Sequence, residues 1–230
     1  MATLTGTPFN DFIGGGPFVD LILGLEGNDS LYGVDNNDQL YGNQGVDLIS
    51  GNRGDDVIFG GQDNDNLYGG QNNDLIFGNR ENDRINGNQN EDVLYGGQGN
   101  DIVRGGQGSD RVFGDFGDDV LYGDNGSDTV TGGVGNDIFA IGVSLSLNAR
   151  TTGGTRLQDA DVFEDFRPGE DLIGLTNGMT FEDLEITPGT GTQTIIRDRQ
   201  TGDFLAIVEG VSSIQLTAAN FTVVPAVFAI

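Results

Sequence analysis

From Gly6 to Ala140 the chain repeats every nine residues, fifteen times in succession, without an insertion or deletion. Position one of each nonapeptide is Gly in all fifteen, from Gly6, Gly15 and Gly24 to Gly132, and position six is Asp in all fifteen, from Asp11 to Asp137. Position eight is always apolar, running Ile13, Ile22, Leu31, Leu40 and onward to Phe139, and position four is Gly in eight units. The segment Gly96-Gly97-Gln98-Gly99-Asn100-Asp101-Ile102-Val103-Arg104 shows the full form. One nonapeptide cannot bury its single apolar side chain, whereas stacked copies can, so the pattern dictates a solenoid. Glycines permit the left-handed backbone of a tight turn, and Asn or Asp tolerate it too. The last three residues alternate about one inward side chain, the minimum for a short strand. If turn, strand, turn and strand close one coil, the helical repeat is eighteen residues and the fifteen units make seven and a half coils. At ~4.8 Å per rung such a stack is ~36 Å long.

Composition narrows the chemistry. Of 230 residues 40 are Gly, and 36 acidic side chains face 10 basic ones, all Arg, for a net charge of −26. Such a chain repels nucleic acid and anionic membrane surfaces. It has no Cys, His, Trp or Lys, which removes disulfides, Cys/His zinc sites, Ser-His-Asp triads and lysine Schiff bases. Hard cations with all-oxygen ligands remain. No stretch approaches the ~20 apolar residues of a membrane span. Met1 to Gly15 carries neither a basic nor an apolar signal-peptide region.

The unit resembles the hemolysin-type nonapeptide of the RTX family, Gly-Gly-x-Gly-x-Asp-x-apolar-x. The resemblance spans residues 6–140. It implies an all-β fold, a right-handed parallel β-roll whose six-residue turns bind Ca2+ between successive coils. Carried to this chain, it sets aspartates eighteen apart in two ladders. One is Asp11, Asp29, Asp47, Asp65, Asp83, Asp101, Asp119 and Asp137; the other is Asp20, Asp38, Asp56, Asp74, Asp92, Asp110 and Asp128. Their gaps set a ceiling of thirteen ions, with backbone carbonyls completing each shell. In the metal-free alternative Asp and Asn merely hydrogen-bond the turns, but stacked carboxylates then repel with no cation between them. Pro8-Phe9 and Pro17-Phe18 mark Asp11 and Asp20 as the weaker ligands, and Glu81 fits position four poorly. Residues 1–140 carry a net charge of −19. That self-repulsion predicts a segment unfolded without calcium and folded where calcium is plentiful, outside a cell.

Positions seven and nine of each strand are expected to face solvent. On even-numbered units position nine reads Leu23, Tyr41, Phe59, Phe77, Tyr95 and Phe113, whereas odd units read Tyr32, Ser50, Tyr68, Asn86, Arg104 and Tyr122. The first row is an apolar stripe larger than a monomer usually exposes. The C-terminal segment, another copy or an external partner could cover it. After residue 140 the repeat stops. Residues 141–158 read as a linker, and 159–230 as a β-rich cap with short strands at Asp161–Phe163, Leu172–Leu175, Thr194–Ile196 and Phe204–Val208. The cap is similar to the segment that closes the roll in many RTX exoproteins. Its apolar end, Phe221–Val224 and Ala226–Ile230, resembles an uncleaved type I secretion signal and reads equally as a last strand.

In RTX enzymes the catalytic domain precedes the repeats, which here begin at residue 6, and no Gly-x-Ser-x-Gly elbow occurs, so no enzyme is expected. Ice binding would need a Thr ladder, whereas position three reads Gln44, Arg53, Gln62, Gln71 and Arg80. The expectation is a secreted, calcium-binding structural protein of a cell surface or extracellular filament. The alternative is a monomeric calcium-binding secretion module, or an adhesin acting through an outside partner.

Overall fold

The computed structural model describes residues 1–142 and 154–224. The nonapeptides wind into a parallel β-roll with two walls. Alternate units feed alternate walls, a twelve-stranded and a ten-stranded sheet. Neighbouring strands pair in parallel eighteen residues apart, as in Val57↔Leu75, Ile58↔Ile76 and Phe59↔Phe77, so one coil is two nonapeptides. Position eight points inward on both walls, and Ile22, Leu40, Ile58, Ile76 and Leu94 are all 0% exposed. The core is thus a narrow column with one apolar side chain from each strand.

From Ser30–Asp35 to Thr129–Val134 each repeat strand spans six residues, as in Val57–Gln62, twice the three-residue minimum. It continues through positions one to three of the next unit. The invariant first glycine therefore serves a different purpose from the one read in the sequence. It lies in the strand and has no positive φ. A Cβ on Gly60 would lie 2.5 Å from Asp65 Oδ2 and 2.9 Å from the Gly78 carbonyl oxygen. Position one is glycine because nothing larger fits. Left-handed backbone falls instead at positions two and four of every unit from Gly24 onward, for example Gly61 (φ 129°) and Asp63 (φ 74°). The first two units, with Pro8 and Pro17, lack it. Glu81 adopts it at φ 66°, so its turn closes like its neighbours. Its carboxylate accepts the Asp63 N–H at 3.1 Å, offsetting part of the ~1–2 kcal/mol that left-handed backbone costs a non-glycine residue.

The C-terminal strands prolong both walls. Asp161–Phe163 joins the twelve-stranded wall in parallel, followed by Phe204–Val208 and then by antiparallel Thr194–Asp198 and Leu184–Pro188. Leu172–Leu175 and Phe221–Val223 extend the other wall in parallel. Phe139, Phe163 and Phe166 close the column, with ring centroids 5.0 and 5.6 Å apart. Short 3-10 turns lie at Phe181–Asp183 and Ala218–Asn220. Most of the expected linker (143–153) and the end of the candidate secretion signal (225–230) lie outside the described residues.

The outer faces differ from one another. Tyr41, Phe59, Phe77, Tyr95 and Phe113 stack at 4.8–5.0 Å with their planes within 10° of parallel. Leu23 heads the row, and all six side chains are half-buried. Among the described residues the C-terminal strands extend the sheet and do not cross this stripe. Not every position nine faces solvent, however. On the opposite wall Arg104, Tyr122 and Ala140 are at most 6% exposed, and Val224 packs against the Tyr122–Ala140 cluster.

These contacts predict that Gly60→Ala destabilises the calcium-loaded roll by about 1–3 kcal/mol, since carboxylate or carbonyl must move. Gly14→Ala, where an added Cβ meets nothing within 4 Å, should stay within about 0.5 kcal/mol of the parent. Ile76→Ala should cost about 2–5 kcal/mol. Denaturant titrations in calcium compare all three.

Candidate metal sites

The turn positions each ladder aspartate by using half of its carboxylate. Oδ1 accepts the backbone N–H of the aspartate one coil earlier: Asp29 from Asp11 at 2.8 Å, Asp38 from Asp20 at 2.7 Å, Asp65 from Asp47 at 2.8 Å and Asp137 from Asp119 at 3.0 Å. Oδ2 is then left over. At Asp29, Asp38, Asp47, Asp56, Asp65, Asp74, Asp83, Asp92, Asp101, Asp110, Asp119, Asp128 and Asp137 it is buried with no hydrogen-bond partner, in residues no more than 2% exposed. Unpaired buried carboxylate oxygens are costly and call for a compensating cation.

The surroundings fit a hard divalent ion. Asp65 Oδ2 and the Gly78 carbonyl oxygen of the next coil both face the space that a Cβ on Gly60 would fill. All the candidate donors are oxygens, carboxylate and carbonyl, the set that Ca2+ takes. Among the described residues no three acidic side chains converge, so carbonyls would have to supply much of each shell. Bound there, calcium would neutralise the stacked charge and tie successive coils together.

Burial sets the electrostatics. It pushes Asp56 and Asp101 up to about 6, Asp47, Asp92 and Asp119 to about 7, and Asp65, Asp74, Asp83 and Asp110 to about 8, against accepted N–H bonds that pull the other way. Without a cation the folded roll therefore favours protonated ladders.

Asp11 and Asp20 stand apart. Asp11 Oδ2 accepts the Thr7 N–H at 2.5 Å and its hydroxyl at 2.9 Å, and Asp20 Oδ2 accepts the Gly16 N–H at 2.8 Å. The bonds from Gly16 and Ala2 hold Asp20 below its ordinary range. Both second oxygens are satisfied by the chain itself, which leaves little reason for an ion.

Beyond the repeats both ladders gain a rung that the nine-residue register does not include. Asp161 Oδ1 accepts the Asp128 N–H at 3.2 Å, and Asp171 Oδ1 accepts that of Asp137 at 3.1 Å, across 33 and 34 residues in place of eighteen. A faint signal exists: Asp161-Val162-Phe163 and Asp171-Leu172-Ile173 repeat the Asp-x-apolar order of positions six to eight.

A pH dependence follows, with its sign. Ladder carboxyls at about 6 to 8 when folded, against 3.8 unfolded, mean that the folded apo roll binds more protons. That stability is complete below the unfolded value and is lost as pH rises through the folded values. In chelator, circular dichroism should show more β-structure near pH 5 than near pH 8.5. Calcium affinity should run the other way, since it requires carboxylates. An apo signal that grows with pH would contradict the buried, unpaired ladders.

The model for the RTX calcium-binding nonapeptide repeat matches the chain in four copies, at residues 14–49, 41–76, 68–103 and 104–139. No curated protein matches it. Among solved structures, the solution structure of a subunit of the mannuronan C5-epimerase of Azotobacter vinelandii is similar at 24% identity. The match covers 63% of this chain and 78% of that one, with a TM-score of 0.39. With the matched repeats spanning more than half of its length and the turns built as described, the chain belongs to the RTX calcium-binding nonapeptide-repeat family.

Proposed function

We propose that this protein is a calcium-switched structural protein, exported unfolded and folded by calcium outside the cell, where it assembles into a surface layer or filament. The observation that carries the reading is the run of buried ladder carboxylates, each with one oxygen lacking any partner. Burying so many unpaired charges is prohibitive without a counter-ion. Calcium converts that penalty into folding free energy. Folding would then report arrival outside the cell. Export by a type I route rests on the apolar C-terminal segment. The reading gives the ladder carboxylates no catalytic role, because each is accounted for as a cation ligand.

Assembly rests on the stacked row Tyr41, Phe59, Phe77, Tyr95 and Phe113, which leaves ring edges exposed along one wall. In the second reading the calcium-bound roll stays monomeric and meets an outside partner, since the rings of the stripe already cover one another by stacking.

Calcium titration followed by circular dichroism and light scattering on one sample separates the two. A coil-to-β transition with rising scattering supports assembly, and the same transition at constant monomer mass supports the module. β-structure indifferent to both calcium and chelator would sink the calcium reading. In the assembly reading, Phe59→Ser, Phe77→Ser and Tyr95→Ser together should abolish the scattering while the calcium-induced transition persists.

A further inference from the structure

The two ladders end differently where the roll meets the C-terminal strands. On one edge the last rungs are Asp128 and Asp161, 1% and 0% exposed. Both Oδ2 atoms are buried with no hydrogen-bond partner. The nearby Asp124 is already engaged, accepting two hydrogen bonds from Arg104 at 2.8 and 2.6 Å.

On the other edge the last rungs are Asp137 and Asp171, and the Arg167 guanidinium stands between them. One amino group donates to the Gly133 carbonyl and lies 3.5 Å from the Gly135 carbonyl oxygen and 3.9 Å from Asp137 Oδ2. Nε lies 3.4 Å from Glu170 Oε2 and 3.6 Å from Asp171 Oδ2, and Asp171 Oδ2 also accepts the Arg167 backbone N–H at 2.7 Å. Gly133 and Gly135 are positions two and four of the last nonapeptide. One coil down, the matching carbonyls of Asp115 and Gly117 face this last turn so closely that a Cβ on Gly133 or Gly135 would strike them. Arg167 thus meets the exposed carbonyl ends of the final turn together with both carboxylates. The ion pairs described for Arg53 and Arg104 go to Asp35 and Asp124, not to a ladder residue.

We propose that Arg167 is a resident cation closing the Asp137–Asp171 gap in place of calcium, and that Asp128 and Asp161 hold a calcium ion of their own on the opposite edge. The inference rests on the calcium reading of the repeats. A guanidinium is always charged and presents planar donors to several oxygens at once, so it can bridge two carboxylates and two carbonyls with no metal. The junction is then held by one metal-independent and one metal-dependent lock. The C-terminal strands add one ion to the ladders instead of two.

Crystals of the full chain grown with terbium in place of calcium test this by anomalous scattering. A peak between Asp128 and Asp161, with none between Asp137 and Asp171, is the expected result. Metal in the Arg167 gap, or an empty Asp128–Asp161 gap beside filled gaps elsewhere, overturns it. Metal along neither ladder overturns the calcium reading itself and this inference with it. In solution, calcium per chain after gel filtration should fall by one ion in Asp161→Asn and rise by one in Arg167→Gln. An unchanged count in either folded variant overturns the assignment. Should Arg167→Gln fail to fold, the terbium positions in the unmodified chain decide alone.

Discussion

The position-six carboxylate does two things at once, and the roll depends on the division. One oxygen accepts the backbone N–H of the coil before it, as Asp83 does for Asp65 at 2.8 Å. That bond stitches successive turns and fixes the side chain. The other oxygen is thereby held in the interior with no donor in reach. Hydrogen-bonding the turn and demanding a cation are thus two consequences of one placement, not rival explanations of the same residue.

The rest of the architecture accommodates that placement. Position one must be glycine because the spare oxygen and a carbonyl from the next coil fill the space a side chain would need. Positions two and four take left-handed backbone so that the turn can wrap the carboxylate. The apolar column is narrow, a single side chain per strand, and a core this thin gives little surplus to set against stacked charge. On the calcium reading proposed above, stability is consequently conditional and the counter-ion becomes part of the fold.

Much of this was legible in the residues, because a strict repeat converts spacing into geometry. Eighteen residues per coil, two walls, the inward position eight and the two aspartate ladders all follow from one register. The role of the first glycine did not, since φ > 0 and steric exclusion both select glycine. Glu81 looked like a defect, yet its turn closes as the others do because its carboxylate finds the Asp63 N–H. Asp161 and Asp171 escaped the register because an insertion precedes each of them, and a period of nine cannot see across it.

What the sequence determined by itself is whatever the repeat makes obligatory: the coil, the core column, the columns of carboxylates and the row of rings. What only the tertiary structure decided lies where the repeat ends or where atoms meet across coils. It selects which carboxylate oxygen is spent and which is left, and it satisfies Asp11 and Asp20 from their own turns. It also brings Arg167 to one ladder end and Asp161 to the other. The physical reason is that periodicity specifies contacts between equivalent residues, whereas contacts between inequivalent ones depend on how the chain returns after its insertion.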